Sequence, residues 1–400
     1  MLKLISKLYR KKRKKSNLPD ALQEQLGVHR ELARHENKTA DPAVLNVRVY
    51  WEGNQAFVTD GNDCFYFAWR GGELDSIEGS EFALWCFLPV AMAKGKDLFI
   101  HGSGTRKASE NAQKLSEIWS YWMPSRYSMV RVRFAEERKP RCKEGLKDLM
   151  FFSGGVDSTY SLLMQDFSDA GLDLMTVQGM DYGVSDFAKF EKAAEKTNHV
   201  AGLYCQNRLF IVSNAYEVYQ QYKVAPRLTY TFVLASCGFL FASRYQSVTL
   251  AADFALHQQF EASPYGSSFA SDQYFDSGDF KIRTHGQDVT RAEKLPVIAG
   301  EPRALLALSF CKDRKYRPEN CGRCIKCLRT KHMFLAAIGR IPEECFLDPG
   351  LVKGERLAFS STQKNHHAHI KAAYALAFWR GNLDKIPEIV TEYKKIQGAK

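Results

Sequence analysis

Leu149-Met150-Phe151-Phe152-Ser153-Gly154-Gly155-Val156-Asp157-Ser158-Thr159 is the stretch on which the fold turns. A short apolar run that stops at Ser-Gly-Gly reads as a buried parallel strand. A helix-compatible run over 159–164 follows at once. A strand, a tight glycine turn and a helix N-terminus together make an anion site, because unpaired N–H groups and the helix dipole converge on one spot. Gly154 and Gly155 let the backbone approach a phosphate closely, and Ser153 and Ser158 add hydroxyl donors. Asp157 is the odd member. A carboxylate beside a phosphate needs a cation between them, and Mg²⁺ is the expected one.

Working outward, strands and helices alternate on the C-terminal side. Residues 174–179, 209–213 and 247–252 read as strands, with helices over 187–200 and 230–245 between them. This pattern predicts an α/β fold with a doubly wound parallel sheet over residues 148–350. Its ligand cleft would lie at the carboxyl ends of the strands, near residues 153–158, 180–183 and 253–255. On the N-terminal side, strand patterns at 45–50, 64–69, 97–101 and 129–134 and helical stretches at 81–92 and 108–122 predict a separate α+β domain over 40–147. A charged linker at 136–147 closes it, and no catalytic signature appears in it. Residues 261–282, rich in Ser, Gly, Tyr and Phe, read either as a lid or as a surface insertion. The last segment, 351–400, predicts two packing helices. Within it, His366, His367 and His369 read as a solvated cluster.

The chain has 400 residues and a net charge of +11. Lys3, Lys7, Arg10, Lys11, Lys12, Arg13, Lys14 and Lys15 carry eight of those charges, so the body is close to neutral. Residues 1–39 therefore read as a basic tail and linker on a body that is not a general nucleic-acid binder. The tail reads as a solvated terminus or as a short amphipathic helix touching a partner, nucleic acid or an anionic membrane. No apolar run of about 18 residues predicts a membrane span, and no secretory signal is evident.

Ten cysteines are present, and Cys311, Cys321, Cys324 and Cys327 cluster as C-x9-C-x2-C-x2-C. Four thiolates from one short segment suit a structural Zn²⁺ site with no open coordination position. An iron–sulfur cluster and a redox pair remain alternatives. A clustered set without a secretion signal reads as cytoplasmic, with thiols reduced.

The Ser153–Ser158 hexad matches SGGxDS, the signature of the PP-loop ATP pyrophosphatases, whose fold is that of the adenine nucleotide alpha hydrolases. Cys321-Gly322-Arg323-Cys324-Ile325-Lys326-Cys327-Leu328-Arg329 resembles the C-terminal zinc stretch of the 7-cyano-7-deazaguanine synthases, and Asp181-Tyr182-Gly183 is also similar to that group. The resemblance spans about residues 148–345. It implies a ligase that adenylates a carboxylate with ATP, releases pyrophosphate and transfers nitrogen to give an amide or nitrile. Ser153, Asp157 and Ser158 would be catalytic. Residues Ser153, Gly154, Gly155, Val156, Asp157 and Ser158 would bind phosphates, with Gly179, Met180 and Asp181 reading adenine. ATP, Mg²⁺ and Zn²⁺ would be the cofactors. The same resemblance implies a component of a multi-protein antiviral-defence or modification system, partnered through the N-terminal region. An RNA sulfur transferase and an ATP-binding component without activity of its own are the alternatives.

Overall fold

The computed structural model describes residues 18–74, 79–143, 145–167, 170–351 and 364–398. The basic cluster of the tail lies outside them. The N-terminal elements are α1 (Asp20–Glu36), β1 (Val44–Trp51), β2 (Gln55–Thr59), β3 (Cys64–Arg70), α2 (Glu81–Lys94), β4 (Asp97–Thr105), α3 (Arg106–Trp122) and β5 (Val132–Arg138). The alternating part follows with β6 (Lys147–Phe151), α4 (Val156–Met164), β7 (Leu172–Gln178), α5 (Phe187–Tyr204), β8 (Asn207–Ser213), α6 (Ala215–Gln221), α7 (Pro226–Leu240), β9 (Tyr245–Ala251), α8 (Leu256–Ala262) and β10 (Ile282–His285). Helices α9 (Arg291–Ala299), α10 (Pro302–Ala307), α11 (Ile325–Ile338), α12 (Lys364–Arg380) and α13 (Pro387–Gly398) complete the chain.

All ten strands join one sheet, ordered β10-β9-β6-β7-β8-β3-β2-β1-β4-β5. Pairings from β10 through β8 are parallel, as are β1–β4 and β4–β5. β8–β3, β3–β2 and β2–β1 are antiparallel. The sheet is thus mostly parallel. It runs without a break across the expected boundary near residue 147, because β3 pairs with β8 in register Phe67↔Ser213 to Arg70↔Phe210.

Strand β6 shows why helices cover both faces here. Leu149 and Phe151 enter one buried cluster with α2 and α7, while Met150 and Phe152 enter another with α9–α12. Alternate side chains of a strand point to opposite faces, so β6 is buried on both. Helix α2 is apolar all round and buried throughout from Glu81 to Met92, as a core helix must be.

Three segments differ from expectation. Residues 20–36, expected as a loose helix or a linker, form a packed helix with Leu22, Leu26 and His29 buried. The charged segment after 136 begins inside β5. There Arg138 donates to Glu81 Oε1 at 2.7 Å and to Asp279 Oδ2 at 2.6 Å, so the charges are spent internally. Residues 261–282, expected as a lid or a surface insertion, are in large part buried. Phe275 and Phe280 are in the core, and Ser267, Ser268, Ser271 and Asp272 form a buried hydrogen-bonded knot.

Candidate functional site

The order of the parallel strands reverses between β6 and β9: β7 and β8 lie to one side of β6, β9 and β10 to the other. Connections therefore leave β6 and β9 in opposite directions, opening a crevice at their carboxyl ends. Both ends carry an aspartate just beyond the strand, Asp157 after β6 and Asp253 after β9.

The Ser153–Ser158 turn enters this crevice. Gly154 has φ +72°, and a Cβ there would lie 2.2 Å from Thr197 Cγ2, so only glycine fits. Ser153 N–H donates to Ser158 Oγ at 3.3 Å, and Gly155 N–H to Ser153 Oγ at 3.3 Å, closing the turn on itself. Gly155 is the N-cap of α4 and offers no side chain to the first turn. Val156, Asp157 and Ser158 precede the first helical bond, Thr159 N–H to Gly155 O at 3.0 Å. Their N–H groups are the orphan donors that favour an anion. Ser153 is exposed at the mouth and Ser158 is buried beneath it.

Asp157 is paired with two cations of the chain. Arg291 donates to both its oxygens, through Nε at 3.2 Å to Oδ1 and through Nη2 to Oδ2. Lys294 Nζ adds a third bond at 3.1 Å and also reaches Ala252 O at 2.6 Å. Arg291 Nη2 further meets Asp253 Oδ1 at 2.9 Å, whose other oxygen accepts from the Tyr230 hydroxyl at 2.8 Å. Burial pushes the Asp157 carboxyl up, but Arg291 and Lys294 outweigh it and hold it below the usual carboxylate range. Both Asp157 oxygens are engaged by cations of the chain, Arg291 and Lys294.

On the β7 side, Ser153, Thr176, Asp181, Tyr182, Phe310 and Lys326 line a cleft with Arg317 at its rim. Gly179 and Met180 are not part of its lining, whereas Asp181 is. Arg317 Nη2 binds Asp181 Oδ1 at 2.9 Å, its Nη1 meets Asp181 O, and the guanidinium lies over the Tyr182 ring at 5.4 Å. The Asp181 side chain is exposed, and Lys326 and Arg317 hold its carboxyl below the usual carboxylate range. Gly179 serves the backbone instead, with φ +105° and an added Cβ only 1.8 Å from Ser213 O. Gly179→Ala is expected to lower the unfolding free energy by about 1–3 kcal/mol in denaturant titrations. An unchanged midpoint would refute that account.

The four cysteines lie in the segment that brings Ser309, Phe310, Arg317 and Lys326 to the cleft. Their Sγ atoms all lie within 4.8 Å of one another, with separations of 3.5 Å (Cys324–Cys327), 3.8 Å (Cys311–Cys324) and 3.9 Å (Cys321–Cys327). A tetrahedral ion with Zn–S of about 2.3 Å places its sulfurs about 3.8 Å apart, so the set fits a single such ion. The distances are far beyond a disulfide bond, and all four thiols are free. Cys324 caps α11 and Cys327 lies in its first turn, where the dipole favours thiolate. N–H groups of Arg323 and Cys324 donate to Cys321 Sγ at 3.4 and 3.3 Å. Two links carry this site to the cleft: Arg317 Nε donates to Cys311 O at 2.6 Å, and Ser309 N–H to Gly154 O at 2.8 Å.

Sequence reasoning gave Arg291 and Lys294 no role at the site, and placed Arg317 only beside the cysteines. Arg291 and Lys294 are three apart on α9, a spacing that signals a shared face without saying what the face meets. The histidines also need correction. His369 is 4% exposed and stacks on Phe254 at 4.9 Å, because α12 is packed against α8, α9 and α11. Burial holds His369 well below its ordinary value and His366 down to about 4. No family model, no curated protein and no solved structure matches the chain. The site must therefore be argued from its own geometry. Among the described residues no helix is long and apolar enough to cross a membrane.

Proposed function

We propose that the chain is an ATP-dependent adenylating ligase of the PP-loop type, splitting ATP between the α and β phosphates. The observation that carries this reading is the juxtaposition at the end of β6. An uncapped helix N-terminus behind a positive-φ glycine faces a polar, aromatic-edged cleft on one side and two cations, Arg291 and Lys294, on the other.

In this reading the adenine enters the β7-side cleft beside Tyr182 and Phe310, and the phosphates meet the N–H groups of 156–158 and the Ser153 hydroxyl. Asp157 is a positioning residue: it holds Arg291 and Lys294 where a leaving pyrophosphate needs positive charge. Mg²⁺ would arrive on the nucleotide's phosphate oxygens and neutralise them further. A carboxylate oxygen of the acceptor attacks the α-phosphorus and the α–β bridging bond breaks, so pyrophosphate leaves. Ammonia then attacks the acyl carbon of the mixed anhydride and loses a proton, and the acyl C–O bond breaks with its electrons going to AMP, leaving an amide. No covalent enzyme intermediate is needed; positioning and charge neutralisation do the work. Zinc at the four cysteines would be structural, fixing the loop that carries Ser309, Phe310 and Arg317.

The test is product analysis with ATP, Mg²⁺, ammonium and 7-carboxy-7-deazaguanine. AMP and pyrophosphate stimulated by the acid are expected. ADP with phosphate, or no turnover with any small carboxylate, would overturn the reading.

A further inference from the structure

Beyond Asp157, on the β9 side, three helices bring cations to one place. Arg291 and Lys294 come from α9 and Arg329 from α11, with His369 of α12 beside them. Arg329 is near enough to Arg291 to be repelled by it and to Asp157, Asp253 and Tyr265 to be attracted. Among the described residues, three cations therefore share two carboxylates, and one positive charge is left over. The surplus falls on Arg329. Arg291 and Lys294 have direct bonds to Asp157, whereas Arg329 is 8% exposed and its Nε has no hydrogen-bond partner. His369, also buried, has an unpartnered Nδ1.

Groups of this kind are costly to bury, and folded chains rarely keep several together unless they serve a ligand. The helices that carry this cluster are also firmly held together. Gln258 Nε2 donates to Ala368 O at 2.9 Å, and Lys371 pairs with Glu261 at 2.8 Å, pinning α12 on α8. The position agrees with the topology, since these side chains gather at the carboxyl ends of β6 and β9, where the strand order reverses.

We infer that Arg329, backed by Arg291 and His369, forms a second oxyanion site, distinct from the N–H groups of the Ser153–Ser158 turn. Its ligand is a carboxylate or a phosphate, for which a guanidinium fork is the natural partner. The inference does not depend on ATP turnover. It requires only that an oxyanion bind at Arg329.

The experiment uses the full chain, titrated by calorimetry and followed by thermal melting with inorganic pyrophosphate and, separately, with malonate. At least one of the two is expected to bind and to raise the melting temperature of the parent protein. Arg329→Met should weaken that binding at least about tenfold. It should also melt no lower than the parent in the absence of anion, because it removes an unpaired buried charge. Arg329→Lys keeps the charge but not the fork and should fall between. Loss confined to pyrophosphate would assign the site to the nucleotide's phosphates; loss confined to malonate would assign it to the acid of the acceptor. Unchanged binding in both variants, no response of the parent to either anion, or a marked loss of fold in Arg329→Met would each overturn the inference.

Discussion

Removing the ion from the four-cysteine site, by a chelator or by Cys327→Ser, is expected to unfold the C-terminal third of the protein and abolish nucleotide binding with it. Thiolates clustered within 4.8 Å are held against mutual repulsion only while a cation lies between them. For small structural zinc sites the binding free energy is on the order of 10 kcal/mol, comparable to a whole domain's stability. The loss propagates because the loop's remaining anchors are hydrogen bonds and ion pairs that depend on its shape. Asn320 supplies the main one, with bonds to Phe310 N at 2.9 Å, Leu308 O at 2.9 Å and Cys345 O at 3.0 Å. Helix α11 begins at this site and packs directly on α9 and α12, so the Arg291–Asp157 pair loosens in turn. Arg317 loses its hold on Cys311 O and leaves Asp181 without its partner. Metal content, melting temperature and ATP binding should fall together. Cys345→Ser is the control: that thiol is buried nearby, bonds only Leu305 O, and should cost about 1 kcal/mol with the ion retained. A chelated protein with an unchanged melt would leave the cysteines without a structural role.

How much of this was legible in the sequence depends on the range of the interaction. The strand, the glycine turn and the helix at 147–164 were legible because each rests on residues within a few positions. The four cysteines were legible because thiolate spacing is itself the geometry. The pairing of β3 with β8 was not. Periodicity tells which face of a strand is buried but not which strand lies beside it, and Arg70 meets Phe210 across 140 positions of chain. Likewise, Asp157 was recognised as needing a cation. Its cations are 134 and 137 positions away, and metal was the only candidate local spacing could offer. The histidines mislead for a related reason: consecutive residues on a helix face different ways, but α12 is covered on several sides, so His369 is buried without any amphipathic signal.

Asp157→Asn brings the same long-range pairing to a measurement. The substitution keeps the shape and one hydrogen-bond acceptor but leaves Arg291 and Lys294 facing each other across a neutral amide. Lys294's side chain is fully buried and Arg291's is 15% exposed, so water cannot replace the lost charge. Breaking a buried pair in this way costs about 3–5 kcal/mol, and the variant should melt well below the parent at pH 7 and show no ATP turnover. The pH dependence follows from the direction of the shift. The Asp157 carboxyl is held below its ordinary value of about 3.9 in the folded protein, so its contribution is complete above that pH. It fades as the pH falls through the lower, folded value. The stability gap between parent and variant should therefore be widest near neutrality and narrow on acidification, as the parent's carboxyl takes up a proton and comes to resemble the amide. Asp253→Asn should show a smaller loss, because that carboxylate is more exposed at 27% and meets Arg291 through one oxygen alone. A parent and Asp157→Asn pair that unfold alike at pH 7 would mean that Arg291 and Lys294 are neutralised elsewhere, and both the positioning role of Asp157 and the charge balance that isolates Arg329 would fall together.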